Sequence, residues 1–293
     1  MRPFRSIRRS PGRGNKVNSV ALKLAKDEDT TLEQLREHYR IEIELANRLR
    51  TALPDERRRL YSVLYDEFYR RVPKRHAEET RREVSRQMNF LRRFLNKDLL
   101  FVEVGPGDCA LSFVVAPFVK KVFAVDVSKE VSTTSSHPEN FQLIISDGRS
   151  IPLKGSEIDI VYSYHLMEHI HPDDAIVQLG NIYQILTQGG IYICVTPNRL
   201  NGPHDVSKYF DEVALGFHLK EYTTSELVDL FRTVGFVRVK AYLGLRGVFL
   251  PIPLIIIQLI EGFVSIAPRV VRSAFRKYRL LRVLLGIRLV GIK

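Results

Sequence analysis

Leu99-Leu-Phe-Val-Glu103-Val-Gly105-Pro-Gly107-Asp-Cys-Ala-Leu-Ser112 is the stretch from which the rest of the chain can be read. An apolar run from Leu99 to Val104 stops at Gly105 and Gly107, and apolar residues resume at Ala110. That order predicts a buried parallel strand, a tight turn and the first turn of a helix. Glycine is needed where backbone must approach a ligand closely, because a Cβ would fill the space. The following helix directs free N–H groups and its positive dipole end at the same point. A ligand is therefore expected across this turn.

Two ligands compete for it. Gly105-x-Gly107-x-x-Ala110 fits the dinucleotide fingerprint, and Asp126 closes the next strand 21 residues after Gly105, where a ribose-binding acid is expected. Glu103 argues differently. A carboxylate at the strand tip would oppose a pyrophosphate but suits a ligand carrying an ammonium group. S-adenosylmethionine has that ammonium, a sulfonium and a ribose diol, and no phosphate. Glu103-Val-Gly105-Pro106-Gly107, followed by Val122-Phe-Ala-Val-Asp126, resembles motif I and the next acidic strand of class I S-adenosylmethionine-dependent methyltransferases, of the type 11 group. Cys109 stands where that family usually has a third glycine.

At 293 residues the chain is long enough for one α/β domain with an extension. Its composition, 45% hydrophobic and 27% charged, is that of a globular protein. Cys109 and Cys194 form no disulfide framework and are expected on the first and fifth strands, so a reducing, cytoplasmic setting is expected. The formal charge of +12 is uneven: +10 over residues 1–100, −6 over 101–240 and +8 over 241–293. An acidic core with basic flanks suits contact with nucleic acid, anionic lipid or an acidic glycan.

Residues 1–29 open with Arg2, Arg5, Arg8, Arg9, Arg13 and Lys16, with no acid before Asp27 and no apolar core. They are expected to form a disordered basic arm rather than a secretory signal. A helical extension is expected over 30–75. Thr30-x-x-Glu33 reads as a capping box for its first helix. Its second helix, Asp55–Val72, carries Leu60, Tyr61, Leu64, Tyr65 and Phe68 on one face. A third helix, His76–Leu95, begins the segment 76–293, with an arginine-rich outer face of Arg81, Arg82, Arg86, Arg92 and Arg93 interspersed with Glu78, Glu79 and Glu83. These helices are expected to cap the sheet and contribute to a substrate pocket.

Strand and helix then alternate. Strands are expected at Val122–Asp126, Phe141–Ile145, Ile158–Ser163, Gly190–Thr196 and Phe236–Tyr242, and a helix at Leu227–Arg232 between a Thr223-x-x-Glu226 cap and Gly235. The fold class is α/β. The resemblance specifies a doubly wound, seven-stranded, Rossmann-like methyltransferase sheet, with ligands at the carboxyl ends of the strands. It also implies roles. Glu103 would help hold the amino-acid end of the cofactor, Gly105 and Gly107 with Pro106 between them would permit its close approach, and Asp126, beside Val127, would accept from both ribose hydroxyls. Asp147 and Gly148 would meet the adenine, and Tyr164 and His165 would line the floor.

His165-x-x-Glu168-His169 matches the inverted zinc-protease motif. It follows a strand, and the sequence offers no clear third ligand, so no metal is expected. His165, His169 and His204 are candidate general bases. Asn198, Arg199, Asp205 and Tyr209 in the polar loop after the fifth strand, with His218 and Tyr222, are candidate acceptor-binding residues.

The segment 245–285 is expected to be a helical insert before a last strand, Ile287–Ile292. Its apolar Val248–Ile260 portion, broken by Pro251 and Pro253, is too short for a span. A lid, an in-plane membrane contact and a buried hairpin are the three outcomes weighed. The function expected is methyl transfer from S-adenosylmethionine to a small-molecule, glycan or lipid-linked acceptor, with O-methylation favoured. RNA methylation and nicotinamide-dependent oxidoreduction are the alternatives. The RNA reading is disfavoured because Ser163-Tyr164-His165 stands where a base-methylating enzyme carries Asn/Asp-Pro-Pro-Tyr. A fold-retaining, membrane-associated binding protein is the non-enzymatic alternative.

Overall fold

The computed structural model describes residues 31–72, 77–128, 137–153, 155–245, 247–268, 271–272, 275 and 277–293. The basic arm 1–29, Thr30, the start of the third expected helix and part of the 269–276 segment lie outside them. Helix α1 (Leu32–Thr51) is capped one residue later than its sequence suggests: the Thr31 hydroxyl accepts from the Gln34 amide, and the Gln34 side chain accepts from Thr31 N–H. Gln34 completes the box at Thr31 as well as a glutamate would, and so sets the helix start there. Helix α2 (Pro54–Arg71) begins with proline at its first position. Helix α3 (Ala77–Leu91) ends four residues before the Leu95 that its apolar pattern implies.

The sheet has eight strands in the order β3-β2-β1-β4-β5-β8-β6-β7. Strands β1 (Leu100–Val104), β2 (Lys121–Asp126), β3 (Phe141–Ile145), β4 (Ile158–Tyr164) and β5 (Leu186–Thr196) are parallel. The last strand, β8 (Ile287–Ile292), inserts antiparallel between β5 and β6 (Arg238–Leu245). The eighth strand is the difference from expectation. Val248–Ile252, read as part of a helical insert, forms β7 and pairs with β6 across Gly247, whose φ of +83° suits a tight hairpin. Pro251 is tolerated there because β7 is the sheet edge.

Each face of the sheet buries its own apolar layer. Val102, Val104, Val161 and Leu289 meet Leu179 and Ile182 of α5 (Pro172–Ile185) and Leu227 and Phe231 of α6 (Thr224–Val234). Phe101, Val122, Ile160 and Val290 meet Phe90 and Leu91 of α3 and Leu111 and Val115 of α4 (Ala110–Val115). Two of the arginines expected on that outer face are engaged by the protein itself, Arg93 lying two residues past the end of α3. Arg93 donates to the Phe249 carbonyl at 2.9 Å and lies over the Phe90 ring, and Arg82 pairs with Glu78.

Helices α1 and α2 form a hairpin with its own core of Leu45, Ala46, Leu49, Tyr61 and Leu64. A buried ion pair docks it. Arg57 reaches Asp174 of α5 through Nε at 2.7 Å and Nη2 at 3.1 Å, and the Tyr61 hydroxyl donates to the same carboxylate at 3.0 Å. Arg57 and Asp174 are 2% and 1% exposed, so neither charge has water as an alternative partner. Breaking such a pair from one side strands the other charge and costs about 3–5 kcal/mol. Asp174→Ala is expected to lose that much in urea unfolding and to make α1 and α2 cleavable by protease under native conditions. Destabilisation below about 1 kcal/mol would show that the hairpin is held elsewhere.

Candidate active site

The Gly105–Cys109 turn leaves β1 through three positive φ angles: +70° at Gly105, +58° at Gly107 and +60° at Cys109. A side chain at Gly105 would run into Leu166 at 2.9 Å, whereas one at Gly107 would point into open space. The open side of Gly107 is thus where a ligand can approach the backbone. Cys109 lies in the turn, as the N-cap of α4 rather than on β1 as expected, and its left-handed conformation is the one a third glycine would adopt freely. It and Cys194 are buried free thiols.

Two carboxylates flank this turn inside the protein. Glu103 is 4% exposed and accepts from the Ser112 hydroxyl at 2.5 Å. Burial pushes its pKa up to about 8, against the opposing Ser112 hydrogen bond. Asp126 is 8% exposed, and its Oδ1 accepts the Ser128 amide at 2.9 Å. Burial raises it to about 6, although the amides of Ser128, Val127 and Gly107 favour the charged form. Both sites disfavour negative charge and so gain from a cationic or hydrogen-bond-donating ligand.

A third buried carboxylate behaves oppositely. Glu168 follows β4 in a short 3₁₀ turn (Met167–His169) and is fully buried. Its Oε1 accepts from His165 Nδ1 at 2.8 Å, and its Oε2 accepts from the Thr196 hydroxyl at 2.7 Å. Burial opposes its ionisation, but the His165 hydrogen bond and nearby His169 and His218 bring it down to about 2. His165 is exposed and takes a φ of +52°, an unfavourable conformation for a histidine that aims its ring at Glu168. His169 donates Nδ1–H to the Phe217 carbonyl at 3.0 Å, and burial lowers its pKa to about 4. His218 is pushed upward despite burial, by its 2.8 Å contact with Glu221 and by Glu168.

The segment carrying Phe217 and His218 is placed by α1. Arg50 donates to the carbonyls of Leu215, Gly216 and His218, and Glu42 accepts the Phe217 amide at 3.0 Å. Tyr65 and Phe68 of α2 pack on the Phe217 ring, at 4.9 and 5.1 Å between centroids. The helical hairpin therefore roofs the carboxyl edge of the sheet.

Residues 102–194 match the family model described as a methyltransferase domain. Over these residues the chain carries a methyltransferase domain. No curated protein sequence matches it. Among solved structures, a chain of the Haloferax volcanii complex between the Trm112 methyltransferase activator and a methyltransferase superposes with a TM-score of 0.51 at 15% identity, over 73% of this chain and 91% of that one. Haemonchus contortus phosphoethanolamine N-methyltransferase 1, solved with phosphoethanolamine and S-adenosylhomocysteine, gives 0.51 at 18% identity, over 62% of this chain and 41% of that one. At these identities the likeness concerns the fold.

The methyltransferase domain brings Glu103, Gly105, Pro106, Gly107, Asp126, Tyr164 and His165 to one edge, at the ends of β1, β2 and β4. Asp147 and Gly148 follow β3, but α2 already covers them. Asp147 Oδ2 accepts from Arg58 Nε at 2.7 Å, while its Oδ1 takes the Ser150 hydroxyl and the amides of Arg149 and Ser150. Tyr61 lies where a side chain at Gly148 would go, and Val127 packs against the same hairpin. The acceptor-loop candidates are largely spent on the chain itself. Asn198 is 1% exposed and donates to Glu261 at 2.7 Å; Asp205 accepts the Ser207 and Gly216 amides. Tyr209 packs with Leu35 and Val206, Tyr222 is 1% exposed, and Arg199 pairs with Glu226 at the surface. His204 is held through Nε2 by the Asn198 carbonyl and Asn201 Oδ1. Sequence reasoning missed Arg288, which β8 carries beside the carboxyl end of β5, within electrostatic reach of Tyr162 and Tyr164. Only the antiparallel insertion of β8 brings it there.

Because burial raises the Asp126 pKa to about 6, the folded ligand-free protein binds its proton more tightly than the unfolded chain does. That contribution to stability falls as pH rises from about 4 to 6 and stays lost above. Asp126→Asn is expected to raise the ligand-free melting temperature at pH 8, equivalent to roughly 1–3 kcal/mol. The gain should vanish below about pH 4. A variant destabilised at pH 8 would refute this account of Asp126.

Proposed function

We propose that this methyltransferase transfers a methyl group to a hydroxyl of a lipid-linked acceptor, using S-adenosylmethionine as donor. The residues present fit that donor: an open glycine backbone at Gly107, and two buried carboxylates, Glu103 and Asp126, that gain from positive charge and donated hydrogen bonds. Glu103 would hold the ammonium end, and Asp126 would accept from the ribose hydroxyls. When bound, the sulfonium supplies an electrophilic methyl group that needs no further activation. The chain's remaining work is to place the acceptor in line, exclude water and take up a proton.

His165 is suited to the proton. Its Nδ1–H is fixed on Glu168, leaving Nε2 as the basic nitrogen, and the ring is exposed at the carboxyl edge. Tyr65 and Phe68, above Phe217, shield the neighbouring floor from water.

The observation favouring a lipid-linked acceptor is the surface of β7 and the helix after it, α7 (Leu254–Ile266). Val248, Leu250, Ile255, Leu259, Phe263 and Ile266 are each more than half exposed. An apolar surface this extended on a globular protein calls for a binding role. Glu261, on the inner side of α7, accepts from Asn198 and caps α6 through the amides of Thr224 and Ser225. The apolar surface is thereby fastened beside the loop following β5, at the edge where acceptor must enter. With the net charge of +8 over residues 241–293, it suits the surface of an anionic membrane. No helix among the described residues is long and apolar enough to cross one.

Calorimetry with S-adenosylhomocysteine should show binding that Gly107→Val and Asp126→Asn each weaken at least tenfold; binding of NADH instead would reject the reading. His165→Asn should lower methyl transfer to extracted lipids by about 10²–10⁴, far more than it weakens binding of S-adenosylhomocysteine. Leu259→Glu with Phe263→Glu should abolish co-sedimentation with phosphatidylglycerol vesicles. Unchanged sedimentation would leave a soluble acceptor in its place.

A further inference from the structure

The donors at the end of β4 have an arrangement that neither base catalysis nor cofactor binding requires. Glu168, His169 and His218 each offer one ligand atom, and those atoms lie within 4.8 Å of one another. Their spacing is reached from two distant segments: the turn after β4, and the 215–218 loop that α1 holds through Arg50 and Glu42. We propose that Glu168, His169 and His218 form a divalent transition-metal site on the acceptor side of the methyltransferase.

The surroundings are those of a metal centre. Each imidazole has its Nδ1 committed elsewhere: His169 to the Phe217 carbonyl at 3.0 Å, and His218 to the Glu221 carboxylate at 2.8 Å. Those contacts fix the tautomer that leaves Nε2 as a lone-pair donor. They are the outer partners that orient metal-ligating histidines. Their supports are themselves tied down. Glu221 Oε1 also accepts the His204 amide at 2.7 Å, and the Phe217 ring is clamped by Tyr65 and Phe68. The two imidazole rings meet edge to face, 4.8 Å between centroids, rather than stacked.

Glu168 already accepts from His165 and Thr196. A carboxylate has about four lone-pair positions, so it can keep both hydrogen bonds and still bind a cation. Bonds of about 2.0–2.2 Å to zinc would require the three donors to close in by about an ångström. Two imidazoles and one carboxylate select a borderline ion, such as Zn²⁺, Fe²⁺ or Mn²⁺, over Ca²⁺ or Mg²⁺. Three protein donors also leave coordination positions for a fourth group. A hydroxyl bound there would be acidified beside His165. That last role rests on the proposed acceptor chemistry; the site itself does not.

The test uses full-length protein freed of metal by dialysis against a chelator. Co²⁺ titration without cofactor should give visible d–d bands saturating at one equivalent, displaced by Zn²⁺. His218→Gln and His169→Gln should each weaken Co²⁺ binding at least tenfold, and Glu221→Gln should weaken it less. In case either variant misfolds, nitrogen-15 histidine spectra of the unaltered protein should show two Nε2 resonances moving on addition of Zn²⁺. Unmoved histidine resonances at one equivalent, or Co²⁺ binding unaffected by His218→Gln, overturns the proposal. S-adenosylhomocysteine calorimetry on the same preparation separates failure of the metal site from failure of the methyltransferase reading.

Discussion

Glu103 and Asp126 occupy adjacent parallel strands inside the protein, each carrying a carboxylate that burial disfavours in its charged form. Desolvating an unpaired carboxylate is expensive, so such groups persist where something else gains from them. Here the gain is a surface prepared for positive charge at the end of the sheet. Ordered amides and one hydroxyl offset part of the cost and leave the remainder to be relieved by a ligand. Glu168, only one strand away, shows the alternative solution, in which two hydrogen bonds and nearby imidazoles stabilise the charge from within.

The helical hairpin of α1 and α2 turns that edge into a site. Its attachment through Arg57 and Asp174 is a bidentate contact between planar groups, so it fixes orientation as well as proximity. From that anchor, α2 lays Tyr61 against Gly148 and Arg58 against Asp147, while α1 carries the 215–218 segment to Glu168. One consequence is that residues with similar sequence signals have different fates. Asp126 stays available at the rim of the turn, whereas Asp147 is engaged by the protein's own arginine and held below the ordinary carboxylate range despite partial burial.

Much of this architecture is legible in the chain. The apolar runs at Leu99–Val104 and Ile158–Ser163 are strands buried on both faces, and such strands carry their signal in every residue. Thr223 and Gly235 bracket α6 by local chemistry alone, through a hydroxyl cap and a φ of +116°. The misread elements are those whose local signals were ambiguous. Val248–Ile252 is apolar throughout, and Gly247 before it marks a turn without saying whether the run beyond pairs back on β6 or opens a helix. Cys109 shows the converse, because the backbone adopts the conformation of a glycine that the sequence does not contain.

The five parallel strands, the glycine turn and the acids beside it are written in local signals, since these depend on period, steric freedom and charge at neighbouring positions. Tertiary structure decided which polar residues remain free to act. Asn198, Asp205, Tyr209 and Tyr222 look like loop chemistry in one dimension and prove to be buried supports in three. His218 lies 49 positions beyond His169 and becomes its neighbour only because α1 carries it there. A hydrogen-bonding group is claimed by whichever partner packing brings within reach, and long-range packing leaves no trace in local spacing.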